Sequence, residues 1–157
     1  MTISVLFTDL VGSTALLAQL GGEADAVRRA HFVALRRALA AHRGEEVKSL
    51  GDGLMAVFRS AVDAVDCGVA MQQAMSRLSA RTHDISLAIR VGISVGEATS
   101  EGDDWFGTPV VEAARLCDAA EGGQVLVSNL LVELVRPRTV HQFDPVGGLP
   151  LKGLPQP

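Results

Sequence analysis

The chain has 157 residues, of which 48% are hydrophobic and 20% are charged, and its net charge is −4. This length supports one domain with a hydrophobic core, and this composition excludes a disordered chain. The negative charge and the scatter of the basic residues argue against nucleic acid as a partner.

The apolar and β-branched patterns predict alternating strands and helices. The predicted elements are a strand Ile3–Thr8, helices between Ala15 and His42 interrupted at Gly21-Gly22, strands Glu45–Leu50 and Leu54–Phe58, a helix capped by Ser60, a strand Ile85–Gly96, a polar loop Glu101–Gly107, a helix Thr108–Ala120, a strand Gln124–Ser128, a short helix Asn129–Val135 and an edge strand or hairpin after Thr139. This order predicts an α+β fold with a ferredoxin-like βαββαβ core and extra strands and helices.

The cellular context is predicted from the N-terminus and the cysteines. The start of the chain lacks a basic segment and reaches Asp9 too soon for a signal peptide, and no apolar run approaches the roughly 18 residues of a membrane span. Cys67 and Cys117 lie in apolar helical patterns, which predicts free buried thiols in a reducing compartment. We expect a single cytoplasmic domain over residues 1–157 without membrane contact. Because it begins on an apolar strand, we expect it to be a piece of a longer protein.

Two aspartates stand at predicted strand ends beside glycines. Asp9 follows the first strand, and Asp52 lies in the turn Gly51-Asp52-Gly53, where Asp-Gly is a strong hairpin signal. Two carboxylates brought together in this way are typical ligands of Mg²⁺ with a phosphate chain. The alternative is that Asp52 is only a turn residue and Asp9 only an acidic residue at a helix start. The spacing alone leaves both interpretations open.

Lysine is rare in this chain, which otherwise uses arginine. Lys48 lies in the predicted hairpin and Lys152 in the tail, and a lysine offers a compact charge with three donors. A third polar segment, from Asp103 to Leu116, joins an acidic loop to a helix that carries Arg115. An exposed loop and a solvated helix would explain that segment equally well.

Other basic residues are expected to be structural. The arginines Arg28, Arg29, Arg36 and Arg37 share one helical segment and are expected to form a solvated helix face. The histidines His31, His42, His83 and His141 are scattered and are expected to be surface or structural residues. The sequence contains neither a G-x-x-x-x-G-K-[ST] nor a G-x-G-x-x-G phosphate motif.

Four segments, in this order, resemble the class III nucleotidyl (adenylate/guanylate) cyclase catalytic domain of the bacterial adenylate cyclase type. They are FTDLVGST from Phe7, KSLGDG from Lys48, DDWFGTPVVEAARL from Asp103 and LKGLP from Leu151. The resemblance runs from about Ile3 to Pro155. It implies an enzyme that converts ATP to 3′,5′-cyclic AMP and pyrophosphate by two-metal catalysis.

The resemblance also implies roles for individual residues. Asp9 and Asp52, with the Leu10 backbone carbonyl, would bind two divalent ions, Mg²⁺ or Mn²⁺. Arg115 would stabilise charge at the α-phosphate during the reaction. The remaining positions are substrate contacts: Lys48 and Asp104 for the base, and Lys152 for the triphosphate.

The two base-contact positions favour adenine. Lys48 can only donate hydrogen bonds and ionised Asp104 can only accept them, which complements the N1 acceptor and N6 donor of adenine. Guanine presents the opposite polarity, and it would leave charged groups mispaired. We therefore expect ATP over GTP, with Asp104 rather than Asp103 as the contact.

One position departs from the family pattern. Val111 stands four residues before Arg115, where the family usually has an asparagine that orients the ribose. This departure predicts reduced turnover, because valine cannot hydrogen-bond to the sugar.

The resemblance implies a head-to-tail homodimer with two shared sites. One subunit would supply the metal aspartates to a site, and the other would supply the base contacts, Arg115 and Lys152. Two alternatives remain open: a catalytically weak cyclase-homology module that binds nucleotide for regulation or dimerisation, and a guanylate cyclase.

Overall fold

The computed structural model describes residues 1–12, 18, 21–81 and 87–146. Its elements, in chain order, are β1 (Thr2–Leu10), a 3₁₀ turn (Gly21–Glu23), α1 (Ala24–Ala41), β2 (Glu45–Leu50), β3 (Gly53–Phe58), α2 (Ala61–Arg81), β4 (Ile89–Glu97), β5 (Thr99–Glu101), β6 (Asp104–Phe106), α3 (Thr108–Ala119), β7 (Val125–Val127) and α4 (Asn129–Val135).

Five strands form the main sheet in the order β2-β3-β1-β4-β7. The pairs from β2 to β4 are antiparallel, whereas β4 and β7 are parallel. The first four strands with α1 and α2 form the predicted ferredoxin-like core, and β7 extends its edge. This arrangement confirms the predicted fold class.

The central strand β1 is buried on both faces, because successive side chains point to opposite sides of a strand. Leu6 and Leu10 belong to the larger hydrophobic core, which α1, α2 and α4 cover. Val5 and Phe7 belong to the second core, which includes residues of α3. The end of β1, where Asp9 lies, is therefore held between two helical layers.

Helix α3 packs very closely on β4 at Gly92. A Cβ atom at this position would lie 2.3 Å from the backbone nitrogen of Cys117 and 2.4 Å from the carbonyl oxygen of Ala113. Because no side chain fits in this space, Gly92 allows the backbone of α3 to contact the sheet. This contact fixes the helix that carries Arg115.

The structure confirms that both thiols are free and buried, and one loop prediction is wrong. Cys67 and Cys117 are free and buried, and burial raises the pKa of both thiols to about 12. The predicted loop Glu101–Gly107 instead holds the turn and the second strand, β6, of an antiparallel hairpin whose first strand is β5. The strand predicted from Ile85 begins at Ile89, while residues 82–86 lie outside the described ranges.

The chain after Thr139 was predicted to be an edge strand or hairpin. Residues 141–146 have no regular secondary structure, and residues 147–157 lie outside the described ranges. None of the helices described is long and apolar enough to span a bilayer.

Candidate active site

Asp9 and Asp52 lie at the same end of two neighbouring strands of the main sheet. Asp9 is the penultimate residue of β1, and Asp52 precedes β3 in the turn from β2. The register pairs Phe7 with Met55, and the Leu54 N–H donates to Oγ1 of Thr8 at 3.1 Å. If this register continues for two more residues, Asp9 lies opposite Gly53, the residue that follows Asp52.

Gly53 makes this close approach possible. A Cβ atom at position 53 would lie 1.8 Å from the Thr8 carbonyl oxygen and 3.2 Å from the Cα of Asp9. Only glycine fits at such a backbone contact. The absent side chain therefore lets the residue that follows Asp52 pack directly against the backbone of Thr8 and Asp9.

The donor set fits a hard divalent cation. Carboxylate oxygens suit Mg²⁺ and Mn²⁺, and Mg²⁺ is commonly held by one or two carboxylates together with substrate phosphates. Within residues 1–12, 18, 21–81 and 87–146, no group of three or more His, Cys, Asp or Glu side chains is arranged to hold a metal. An aspartate pair completed by phosphate oxygens is consistent with both facts.

Each aspartate forms an ion pair with an arginine. The Nε of Arg28, on α1, donates to Oδ1 of Asp52 at 2.7 Å. The Nη2 of Arg90, on β4, donates to Oδ2 of Asp9, and its Nη1 donates to the Asp118 carbonyl oxygen at 3.2 Å. The hydrogen bond to Asp9 raises the pKa of Arg90.

Neither arginine was predicted to contact the site. Arg28 was expected on a solvated helix face; its side chain is 39% exposed, and its guanidinium in addition binds Asp52, a contact that the prediction lacked. Arg90 carried a detectable signal, since it is a charged residue within an otherwise apolar strand. The register places it directly opposite Asp9.

Lys48 and Asp104 form a third ion pair, between β2 and β6. The Nζ of Lys48 lies 2.8 Å from Oδ2 of Asp104, and the N–H of Trp105 donates to Oδ1 at 2.8 Å. These two hydrogen bonds, the Lys48 contact first, lower the pKa of Asp104. The carboxylate is therefore ionised at neutral pH and acts only as an acceptor. The structure thus brings together the two residues predicted to contact the base.

Helix α3 carries the other predicted catalytic position. Arg115 is half-buried, and its guanidinium forms no ion pair with any residue that the structure describes. Val111, one turn earlier, is 42% exposed, and Glu112 contacts the hydroxyl of buried Ser94. No described contact joins Arg115 to Asp9 or Asp52. Lys152 lies outside the described residues.

His31 is fully buried on α1. Neither of its ring nitrogens has a hydrogen-bond partner among the residues described. Burial lowers the pKa of His31, and the Asp52 carboxylate opposes this effect less strongly. The imidazole is therefore neutral at neutral pH, which agrees with the structural role predicted for it.

Comparison with known proteins identifies the family. The family model described as "Adenylate and Guanylate cyclase catalytic domain" matches residues 1–156. The chain belongs to this family. This finding confirms the resemblance and makes the protein a nucleotide cyclase domain.

Two solved structures are similar to this cyclase domain over nearly its whole length. The adenylyl cyclase CyaB from P. aeruginosa has a TM-score of 0.87 and 28% identity, and the match covers 98% of this chain and 88% of that chain. The Adenylate/Guanylate Cyclase/Hydrolase from Silicibacter pomeroyi has a TM-score of 0.86 and 28% identity, with coverage of 100% and 92%.

A curated relative shows that similar domains occur in longer proteins. The "Putative adenylate cyclase 3" of Rhizobium meliloti is 37% identical over 117 residues, which are 74% of this chain and 20% of that protein. The matched segment thus spans about a fifth of the length of this relative.

Proposed function

We propose that this domain is an adenylate cyclase that converts ATP to 3′,5′-cyclic AMP and pyrophosphate. The observation that carries the choice of ATP is the ion pair of Lys48 and Asp104. It presents a donor and an ionised acceptor side by side, as the adenine edge requires. Both side chains remain partly exposed, at 41% and 32%, and can therefore reach a ligand.

We propose that Asp9 and Asp52, with the Leu10 carbonyl, hold two Mg²⁺ or Mn²⁺ ions. Such ions, when bound, lower the pKa of the ribose 3′-hydroxyl and neutralise phosphate charge. Arg115 donates hydrogen bonds to the α-phosphate and so stabilises the charge that develops there. Lys152 holds the triphosphate. The chain needs no nucleophile of its own, because the attacking group belongs to the substrate.

We propose a head-to-tail homodimer, in which each site takes its aspartates from one chain and the remaining residues from the other. Exposed apolar side chains on the elements that carry site residues support an interface there. They include Leu50 on β2, Phe106 on β6 and Val111 on α3, which are 47%, 51% and 42% exposed. A cytoplasmic location is proposed from the two free buried thiols.

The substrate assignment is tested by supplying the purified chain with Mn²⁺ and either ATP or GTP. Cyclic AMP and cyclic GMP are quantified over a range of protein concentrations. The proposal expects more product from ATP, with a specific activity that rises with concentration as dimers form. More product from GTP would instead identify a guanylate cyclase.

A second function is favoured by one observation, the exposed valine at position 111. A domain without a ribose-orienting side chain can bind nucleotide and turn it over poorly, and it would then serve regulation or dimerisation. Nucleotide binding by calorimetry without cyclic product from either substrate would support this module over the enzyme.

A further inference from the structure

Arg28 reaches from α1 to the turn that carries Asp52. The Asp52 side chain is only 13% exposed, and the Arg28 guanidinium donates to its Oδ1 at 2.7 Å. A carboxylate with so little access to water needs a counter-ion, because burying an unpaired charge is costly. Arg28 supplies that positive charge from within the protein.

His31, one turn further along α1, cannot replace Arg28 in this role. Burial lowers its pKa and keeps it neutral at neutral pH. In the ranges that the structure describes, Arg28 is the cation that contacts Asp52.

A metal ion bound to Asp52 would share with Arg28 the negative charge of one carboxylate group. A guanidinium and a divalent cation on one carboxylate also repel each other. We propose that Arg28 positions the Asp52 carboxylate when no metal is bound and competes with the metal for it. Metal binding then releases Arg28 from this carboxylate. This inference rests on the metal role of Asp52 in the proposed function.

Arg90 does not share this property, although it contacts Asp9. A second hydrogen bond to the Asp118 carbonyl holds Arg90 between β4 and the end of α3. The Arg90 side chain is also less exposed, at 28% against 39% for Arg28. Arg28 has solvent to move into, and Arg90 is anchored at a second point.

The test measures Mn²⁺ binding to the full chain by electron paramagnetic resonance of the free ion. Arg28→Gln is compared with Arg29→Gln, which removes the same charge from the exposed neighbouring position. Loss of a competing ion pair is expected to tighten Mn²⁺ binding about three- to tenfold relative to Arg29→Gln. Equal or weaker binding by Arg28→Gln overturns the inference.

The rise in melting temperature on adding Mn²⁺ is a readout that a merely structural role would not change. In EDTA, Arg28→Gln is expected to unfold at a lower temperature than Arg29→Gln, because Asp52 lacks its counter-ion. Added Mn²⁺ is expected to raise its melting temperature by more than that of Arg29→Gln, since a ligand stabilises according to its affinity. A Mn²⁺-dependent rise of the same size in both variants contradicts competition.

Two further variants keep the test decisive. Arg28→Met retains the apolar stem if the glutamine variant does not fold, and it carries the same expectation and the same contradicting result. Asp52→Asn distinguishes a failure of the proposed metal site from a failure of the proposed competition by Arg28. If the wild type binds Mn²⁺ no better than Asp52→Asn, the metal site of the proposed function fails, and this inference fails with it. If it binds better but Arg28 variants show no gain, only this inference fails.

Discussion

The Nζ of Lys48 lies 2.8 Å from Oδ2 of Asp104, a residue 56 positions later in the chain. This ion pair joins the edge strand of the main sheet to the small hairpin of β5 and β6, and it creates a fixed arrangement of donor and acceptor. Its polarity is the physical basis for the proposed preference for ATP.

Asp104→Asn is expected to weaken that preference. An amide can donate to O6 of guanine as well as accept, so the ratio of kcat/KM for ATP over GTP should fall by about tenfold, or roughly 1.4 kcal/mol. Asp103→Asn, at the exposed neighbouring position, is the matched control and should leave the ratio unchanged. A larger change in the control would assign the base contact to Asp103.

Two inactive variants are expected to complement each other if sites are shared between subunits. Asp52→Ala and Arg115→Ala would each inactivate both sites of a homodimer. Random mixing makes half of the dimers mixed, each with one intact site, so activity should recover to about a quarter of the wild-type value. The assay is cyclic AMP production after mixing at a concentration that allows exchange.

The control for this experiment mixes Asp52→Ala with Asp9→Ala. Both changes affect residues predicted to come from the same subunit, so every mixed dimer lacks a complete metal pair in both sites. Recovery in this control, or none in the first mixture, would contradict the proposed division of the site.

Much of the fold could be predicted from sequence, because its signals are local. The turn at Gly51–Gly53 and the apolar periodicity indicated the central hairpin and its neighbours. The hairpin of β5 and β6 was missed because its strands have three residues each and no apolar alternation. Gly102, with a φ of 60°, makes the tight turn between them.

The candidate site was predicted in part, and its limits have a physical cause. The carboxylates and the base contacts lie in short motifs that the sequence displays. The ion pairs of Arg28 and Arg90 form only on folding, because each arginine pairs with an aspartate distant in sequence. Their contacts depend on how α1 packs and on the register of β4 against β1.

Val111→Asn is expected to increase turnover. An amide at this exposed position of α3 can hydrogen-bond to the ribose, and one recovered positioning bond is worth about ten- to a hundredfold in kcat. Steady-state kinetics with Mn-ATP measure the effect, and Val111→Thr serves as a size-matched comparison. Unchanged or lower kcat in the asparagine variant would contradict the predicted loss of a ribose contact at position 111.

His31 is expected to make the fold sensitive to acid. Burial lowers its pKa in the folded state below the ordinary 6.5, so the unfolded chain binds the proton more readily. Stability is therefore complete above pH 6.5 and falls as the pH decreases from there toward the folded-state pKa.

Urea unfolding at several pH values checks this expectation. His31→Leu removes the titrating group, so its free energy of unfolding should fall less steeply below pH 6.5 than that of the wild type. A tenfold difference in proton affinity between the folded and unfolded chains is worth about 1.4 kcal/mol. An unaltered acid profile for His31→Leu would assign the effect to other groups.

The most direct test of the central claim is the initial rate of cyclic AMP formation from ATP and Mn²⁺ by the wild type and by Asp9→Ala. Loss of a carboxylate that holds the metal removes charge stabilisation worth several kcal/mol, so the variant should be at least about a thousandfold slower. Clear cyclic AMP production is expected from the wild type, and Asp9→Ala should abolish it. Equal rates for the two proteins, or no product from the wild type, would contradict the central claim.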